Sequence, residues 1–173
     1  MKKSFIATVA ALAFFTTASN AEDRIVAGYS FPAVSYSEGV WGAGVEKDLG
    51  KLGNVTLFAG ADYARKQNTD FADSVWGATF GVQVPLSDKV DFKADVTRSF
   101  VSDIDDVDSL SVGAVYQGTK WRFDGAAVKA EGRDVFANVT AERKVLGNLA
   151  VGVGSQFDTG EYYATTVFAS YSF

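Results

Sequence analysis

The 173-residue chain contains no cysteine, no histidine, one methionine and two prolines. Without cysteine there are no disulfides, no thiolate catalysis and no zinc site that needs sulfur. Without histidine the commonest general base and metal ligand is missing, so Ser-His-Asp and Cys-His catalysis are excluded. Positive charge is also scarce: 16 Lys and Arg stand against 21 Asp and Glu, a formal net charge of −5. A nucleic-acid binder wants a basic face, so nucleic acid is not an expected partner. Long apolar runs are absent beyond the first residues, where about 18 in succession would be needed for a membrane-spanning helix. What is abundant is glycine (17 residues) and aromatics (14% of the chain). With so little proline, that composition points to many β-strands in a single domain.

Residues 1–21 have the three parts of an export signal in order. Met1-Lys2-Lys3 is basic, Phe5 to Phe15 is a short apolar stretch, and Thr16 to Ala21 is polar with small residues at Ser19 and Ala21. The expectation is a signal peptide cleaved after Ala21, leaving 22–173 as the mature domain. A Lys-Lys, Ala-rich signal on a cysteine-free product fits the envelope of a Gram-negative bacterium.

The mature part alternates with period two, the signature of strands. Near 54–65, Val55, Leu57, Ala59, Ala61 and Tyr63 share one face, opposite Thr56, Phe58, Gly60 and Asp62. Near 89–100, Val90, Phe92, Ala94 and Val96 oppose Asp91, Lys93, Asp95 and Thr97. Similar segments cover 24–33, 39–49, 74–86, 109–117, 120–130, 134–144, 148–157 and the C-terminus, ten in all. Tight turns are expected at Asp48–Gly53, Leu86–Lys89, Gly118–Lys120 and Leu146–Asn148, with longer, more acidic connections between the others.

Strands of this length suit a tilted crossing of a bilayer. Lipid offers no partner to a free backbone N–H, so such a sheet must close on itself. The reading is an all-β, closed, antiparallel, up-and-down transmembrane β-barrel of ten strands, or eight if the Pro32 segment and one other are miscounted. A soluble sandwich is the competing architecture. It gives no reason to sort aromatics by height, yet here they sort. Trp41, Tyr63, Trp76, Phe157 and Tyr163 fall at the loop end. Phe92, Tyr116, Trp121, Phe123, Tyr171 and Phe173 fall at the turn end, with small and branched residues between.

The terminus Ala169-Ser170-Tyr171-Ser172-Phe173 resembles the C-terminal signal of bacterial outer-membrane proteins, an alternating strand ending on Phe. That resemblance implies that Tyr171 and Phe173 are read by the barrel-assembly machinery. The whole chain looks like the small porin-family and adhesin/resistance-type outer-membrane barrels, which implies an outer-membrane location. Partners are then lipid and lipopolysaccharide; the oligomeric state is not indicated. Enzymes with this architecture, including proteases, lipid A acyltransferases and phospholipases, generally depend on His. A chain without His departs from them, and no catalytic residue, metal site or cofactor is expected.

Inward positions carry most of the glycines, among them Gly28, Gly42, Gly44, Gly60, Gly77, Gly81, Gly113, Gly152 and Gly154, with Gly125 outward. They could leave a lumen, or relieve crowding where a small barrel curves around fillers such as Phe58, Phe136, Tyr162 and Phe168. Inward charges gather toward the turn end: Glu46, Asp91, Lys93, Arg122, Asp124, Glu142 and Lys144. A simple hairpin through 130–134 would set Arg122 opposite Glu142, possible as a bidentate pair. The cluster reads as a selectivity constriction or as a structural ion-pair plug. Arg65, Arg98 and Lys129 stand outward at the loop-side rim, where they could meet lipopolysaccharide phosphates or simply snorkel. The acidic loop Ser102–Asp108 lacks the spacing of a calcium site and reads as a solvated loop. The functional expectation is a small porin-like barrel allowing narrow passive passage of water, ions or small solutes. The alternative is a structural or surface-interaction barrel without transport.

Overall fold

The computed structural model describes residues 23–32, 39–66, 74–101, 105–158 and 161–173. The signal segment expected over 1–21, and the first residues of the acidic loop, lie outside them. Ten strands follow in order: β1 Arg24–Pro32, β2 Val40–Leu52, β3 Val55–Lys66, β4 Ser74–Pro85, β5 Val90–Val101, β6 Val107–Gln117, β7 Trp121–Ala130, β8 Phe136–Leu146, β9 Leu149–Asp158 and β10 Glu161–Ser172. Each pairs antiparallel with its neighbour in sequence, and β10 pairs with β1, closing the barrel. The eight-strand alternative and the open sandwich are thereby excluded. The Pro32 segment is a full strand, because Pro32 sits at its last residue, where a missing N–H does least harm.

One turn lies elsewhere than expected. Of the expected Asp48–Gly53 turn only Gly53 belongs to the reversal: β2 runs on to Leu52 and the chain turns at Gly53-Asn54. The extra length is absorbed by a bulge, where the β2–β3 register slips between Asp48 and Gly50. Gly50 takes φ +118° there, and its N–H donates to Asp48 Oδ1 at 2.6 Å. Glycine tolerates that conformation and a side chain does not, so a Gly in mid-strand marks the bulge. The register slips again between Tyr162 and Ala164. The side chains of Tyr162 and Tyr163, expected as a filler and a girdle residue, lie outside the described residues.

The two faces separate as period two requires. Outward residues such as Val96, Leu110, Val112, Val139, Val151, Val153 and Val167 are exposed, while Val26, Val75, Val115 and Val128 are buried inside. Aromatics bracket the outward apolar band. Tyr63 touches Trp41 and Trp76 at the loop end, with ring centroids 5.4 and 4.6 Å apart. At the turn end Phe123 lies 6.1 Å from Tyr116 and 6.0 Å from Trp121.

The interior is filled. Phe58 lies over Gly81, and Phe168 over Gly28 and Gly152; a Cβ on any of these glycines would overlap the ring or the neighbouring strand. Gly28, Gly81 and Gly152 therefore serve close packing at these positions. At the loop end two apolar clusters line the lumen: Val40, Ala64, Val75 and Val101 on one side, and Val128, Ala130 and Phe136 on the other. Toward the turn end the lining becomes polar and charged.

Candidate functional site

The charged interior is built by strands that approach from all round the barrel. Glu142 on β8 is its hub. Arg24, at the start of β1, reaches across the lumen so that one nitrogen, Nη2, lies 2.9 and 2.8 Å from the two carboxylate oxygens of Glu142. The Ser170 hydroxyl on β10 donates to Glu142 Oε1. Arg122 is paired with Glu142 in the β7–β8 register, with Nη1 3.5 Å from Glu142 Oε2 and Nη2 3.6 Å from Asp124. The two-oxygen grip on Glu142 thus belongs to Arg24, where the sequence suggested Arg122. Arg24 is only 1% exposed, and the sequence reading missed it. Its inward parity with Gly28 was the available signal. Its partner lies 118 residues away on a strand that β1 does not pair with, a contact that only closure creates.

A second pair lies deeper. Lys93 Nζ is 3.5 Å from Glu46 and 4.5 Å from the centre of the Phe58 ring. Asp95 and Asp124 face the same region, and Glu46, Asp95 and Asp124 each bury one carboxylate oxygen that accepts no hydrogen bond. Asp91 stands apart, held at Oδ2 by the amides of Gln83 (2.7 Å) and Gln117 (2.9 Å). Lys144 is exposed at the turn-side mouth. There, together with Arg24, Lys120, Arg122 and Glu142, it lines a cavity of about 50 Å³. Polar rungs continue the lining upward: Thr79 and Thr97 share a 2.7 Å hydrogen bond, and Gln156 donates to Asn138 at 2.8 Å.

The rim cations behave differently from one another. Arg65 is exposed on β3. Arg98 lies 3.1 Å from Asp106 and 3.9 Å from Asp108, so the acidic loop already offers it counter-charges. Lys129 donates to the Arg133 carbonyl at 2.5 Å. Arg98 and Lys129 border one concavity on the outer wall, above Phe80, Val96 and Leu110. At the C-terminus, Tyr171 is exposed outward opposite Ile25 and Leu149, and the Phe173 N–H donates to the Asp23 carbonyl at 3.0 Å.

The closed ten-strand cylinder has counterparts among solved β-barrels. The chain superposes on a KdgM porin with a TM-score of 0.61, covering 87% of this chain and 99% of that one at 11% identity. A structure of KdgM porin in complex with disordered oligogalacturonate gives a TM-score of 0.60 with the same coverage and identity. The fold is that of a porin-type barrel. At this identity the likeness concerns the backbone and carries no residue of one lumen over to the other. No protein-family model matches the sequence, and no curated protein matches it either.

Proposed function

We propose that this chain is a small porin-like barrel of a Gram-negative outer membrane, non-enzymatic, passing at most water and small ions. The observation that carries the reading is the pairing of an exposed apolar outer wall with a charged, polar lumen. A soluble protein would do the reverse, and a merely structural barrel could fill its interior with apolar side chains. Residues 1–21 would direct export, and Tyr171 and Phe173 would present the terminal strand to the barrel-assembly machinery. Lipid would surround the outer wall, with Arg65, Arg98 and Lys129 at the level of lipopolysaccharide phosphates.

The limit on size follows from the packing. Phe58, Phe168, Arg24 and Glu142 are buried in the cross-section, Arg122 is half-buried beside them, and the valine cluster narrows the loop end. The same ion pairs act as plug and as constriction: they hold the walls together and narrow any passage to water and small ions.

Reconstitution in planar bilayers tests this. Discrete unitary currents of small amplitude are expected, and Glu142→Gln should change their size or their ion preference. A silent bilayer, with protein that still shows the heat-dependent gel shift of a folded barrel, would overturn the passage reading.

A further inference from the structure

The turn end of β7 and β8 carries a concavity unlike the lumen. The β7–β8 ladder ends with Trp121 opposite Arg143 and the Lys144 N–H donating to the Lys120 carbonyl at 2.9 Å, yet β8 runs on to Leu146. In the corner left by that overhang, Lys120, Arg143, Lys144, Val145, Leu146 and Gly147 line a hollow of about 540 Å³. Three of these residues are cations, and no acid is among them. We propose that this corner binds the phosphate headgroup of an anionic phospholipid in the turn-end leaflet. The proposal rests on the reading that lipid surrounds the outer wall, and it is independent of whether the lumen conducts.

Its cations are not neutralised within the protein. Among the described residues none of Lys120, Arg143 and Lys144 forms an ion pair, whereas Arg98 at the loop end has Asp106 at 3.1 Å and Asp108 at 3.9 Å. Glu142, the acid at this mouth of the lumen, is held by Arg24, Arg122 and Ser170. In a chain with more acids than bases, the corner is a local reversal of charge. Its height suits a headgroup. The Arg143 guanidinium lies 5.5 Å from the centre of the Trp121 ring, which stands in the turn-end girdle beside Phe123. Such girdles lie at the level of lipid headgroups, and in outer-membrane barrels the short turns face the periplasmic leaflet. The apolar half of the corner also needs cover: Val145 and Leu146 are 50% and 77% exposed. Phosphate accepts from ammonium and guanidinium groups alike, and the glycerol and first methylenes of the same lipid would lie against the two apolar side chains. Free phosphate would leave those side chains bare, so the ligand is an amphiphile with an anionic head.

Of the three tryptophans, Trp121 alone stands at this end, so Trp41→Phe with Trp76→Phe makes it the sole reporter. The full-length barrel is folded into phosphatidylcholine vesicles that contain a minor share of brominated phosphatidylglycerol or, in a parallel series, of brominated phosphatidylcholine. Bromine quenches tryptophan on contact. Phosphatidylglycerol should quench Trp121 as though enriched about fivefold over its share, the gain from one well-placed cation beside a phosphate. Lys120→Gln with Arg143→Gln and Lys144→Gln should bring the two series together. Arg65→Gln with Lys129→Gln, at the loop end, should leave the preference intact. If the Trp121-only background does not fold, native mass spectrometry of the otherwise unaltered barrel, counting retained phosphatidylglycerol against phosphatidylcholine, makes the same comparison with the same charge variants. Equal quenching by the two lipids in inserted protein, or a preference that survives loss of the three cations, would overturn the proposal alone. A chain that stays outside the vesicles and shows no heat-dependent gel shift would overturn the reading of lipid around the outer wall, and the proposal with it.

Discussion

At the scale of single residues, burial decides which charges matter. Glu142 is the shared counter-charge of Arg24 and Arg122, and all three are largely shielded from water. Removing one partner of a buried pair leaves the other unsatisfied, at about 3–5 kcal/mol. Glu142→Ala should therefore lower the urea midpoint of the folded barrel markedly. Arg98 is a contrast: its side chain is 56% exposed beside Asp106, and Arg98→Ala should cost under about 1 kcal/mol. A midpoint lowered equally by both would argue against the ion-pair belt. Glycine offers a second contrast. A Cβ on Gly81 would lie 2.7 Å from the Asp95 Cβ and 2.8 Å from the Ala94 carbonyl, whereas one on Gly125, facing outward, meets nothing within 4 Å. Gly81→Ala should destabilise by about 1–3 kcal/mol through overpacking, and Gly125→Ala should be neutral in the same titration.

At the scale of elements, strands and their ends carry the argument. Period two in the sequence is a local property of a half-polar strand, so the faces of β3 to β8 could be read directly. The β2 end could not. Asp48, Gly50 and Gly53 look like a turn, and only the cross-strand ladder with β3 shows that Gly50 makes a bulge and the strand continues. The terminal strand has a separate role. Tyr171 and Phe173 face outward and exposed, so they add little to interior packing. Tyr171→Ser with Phe173→Ser removes two rings from the girdle and should lower the stability of the in vitro folded barrel by a few kcal/mol at most, about 1–3 per ring, while leaving it closed. Pulse-labelled cells should convert the variant to the heat-modifiable form more slowly. Assembly at the unaltered rate would count against a recognition role for this terminus.

At the scale of the whole molecule, closure determines the chemistry. The β1–β10 ladder removes the last free edges and brings Arg24 and Ser170 onto Glu142. That meeting of β1, β8 and β10 is invisible to any reading of adjacent strands. The inward parity of Asp62 and Asp95 was legible in the sequence, yet the belt as read from sequence left them out. Their height relative to Lys93 depends on how far each strand is staggered around the barrel. The sequence by itself determined that the strands close into a barrel, with ten or eight left open, and which side chains of most strands face in or out, because each follows from local alternation against two solvents. The tertiary structure alone decided that ten strands close, that Phe58 and Phe168 pack into the lumen, and that Arg24 and Arg122 share one carboxylate. Those facts depend on distances across the interior, which exist only after the sheet has curved and closed.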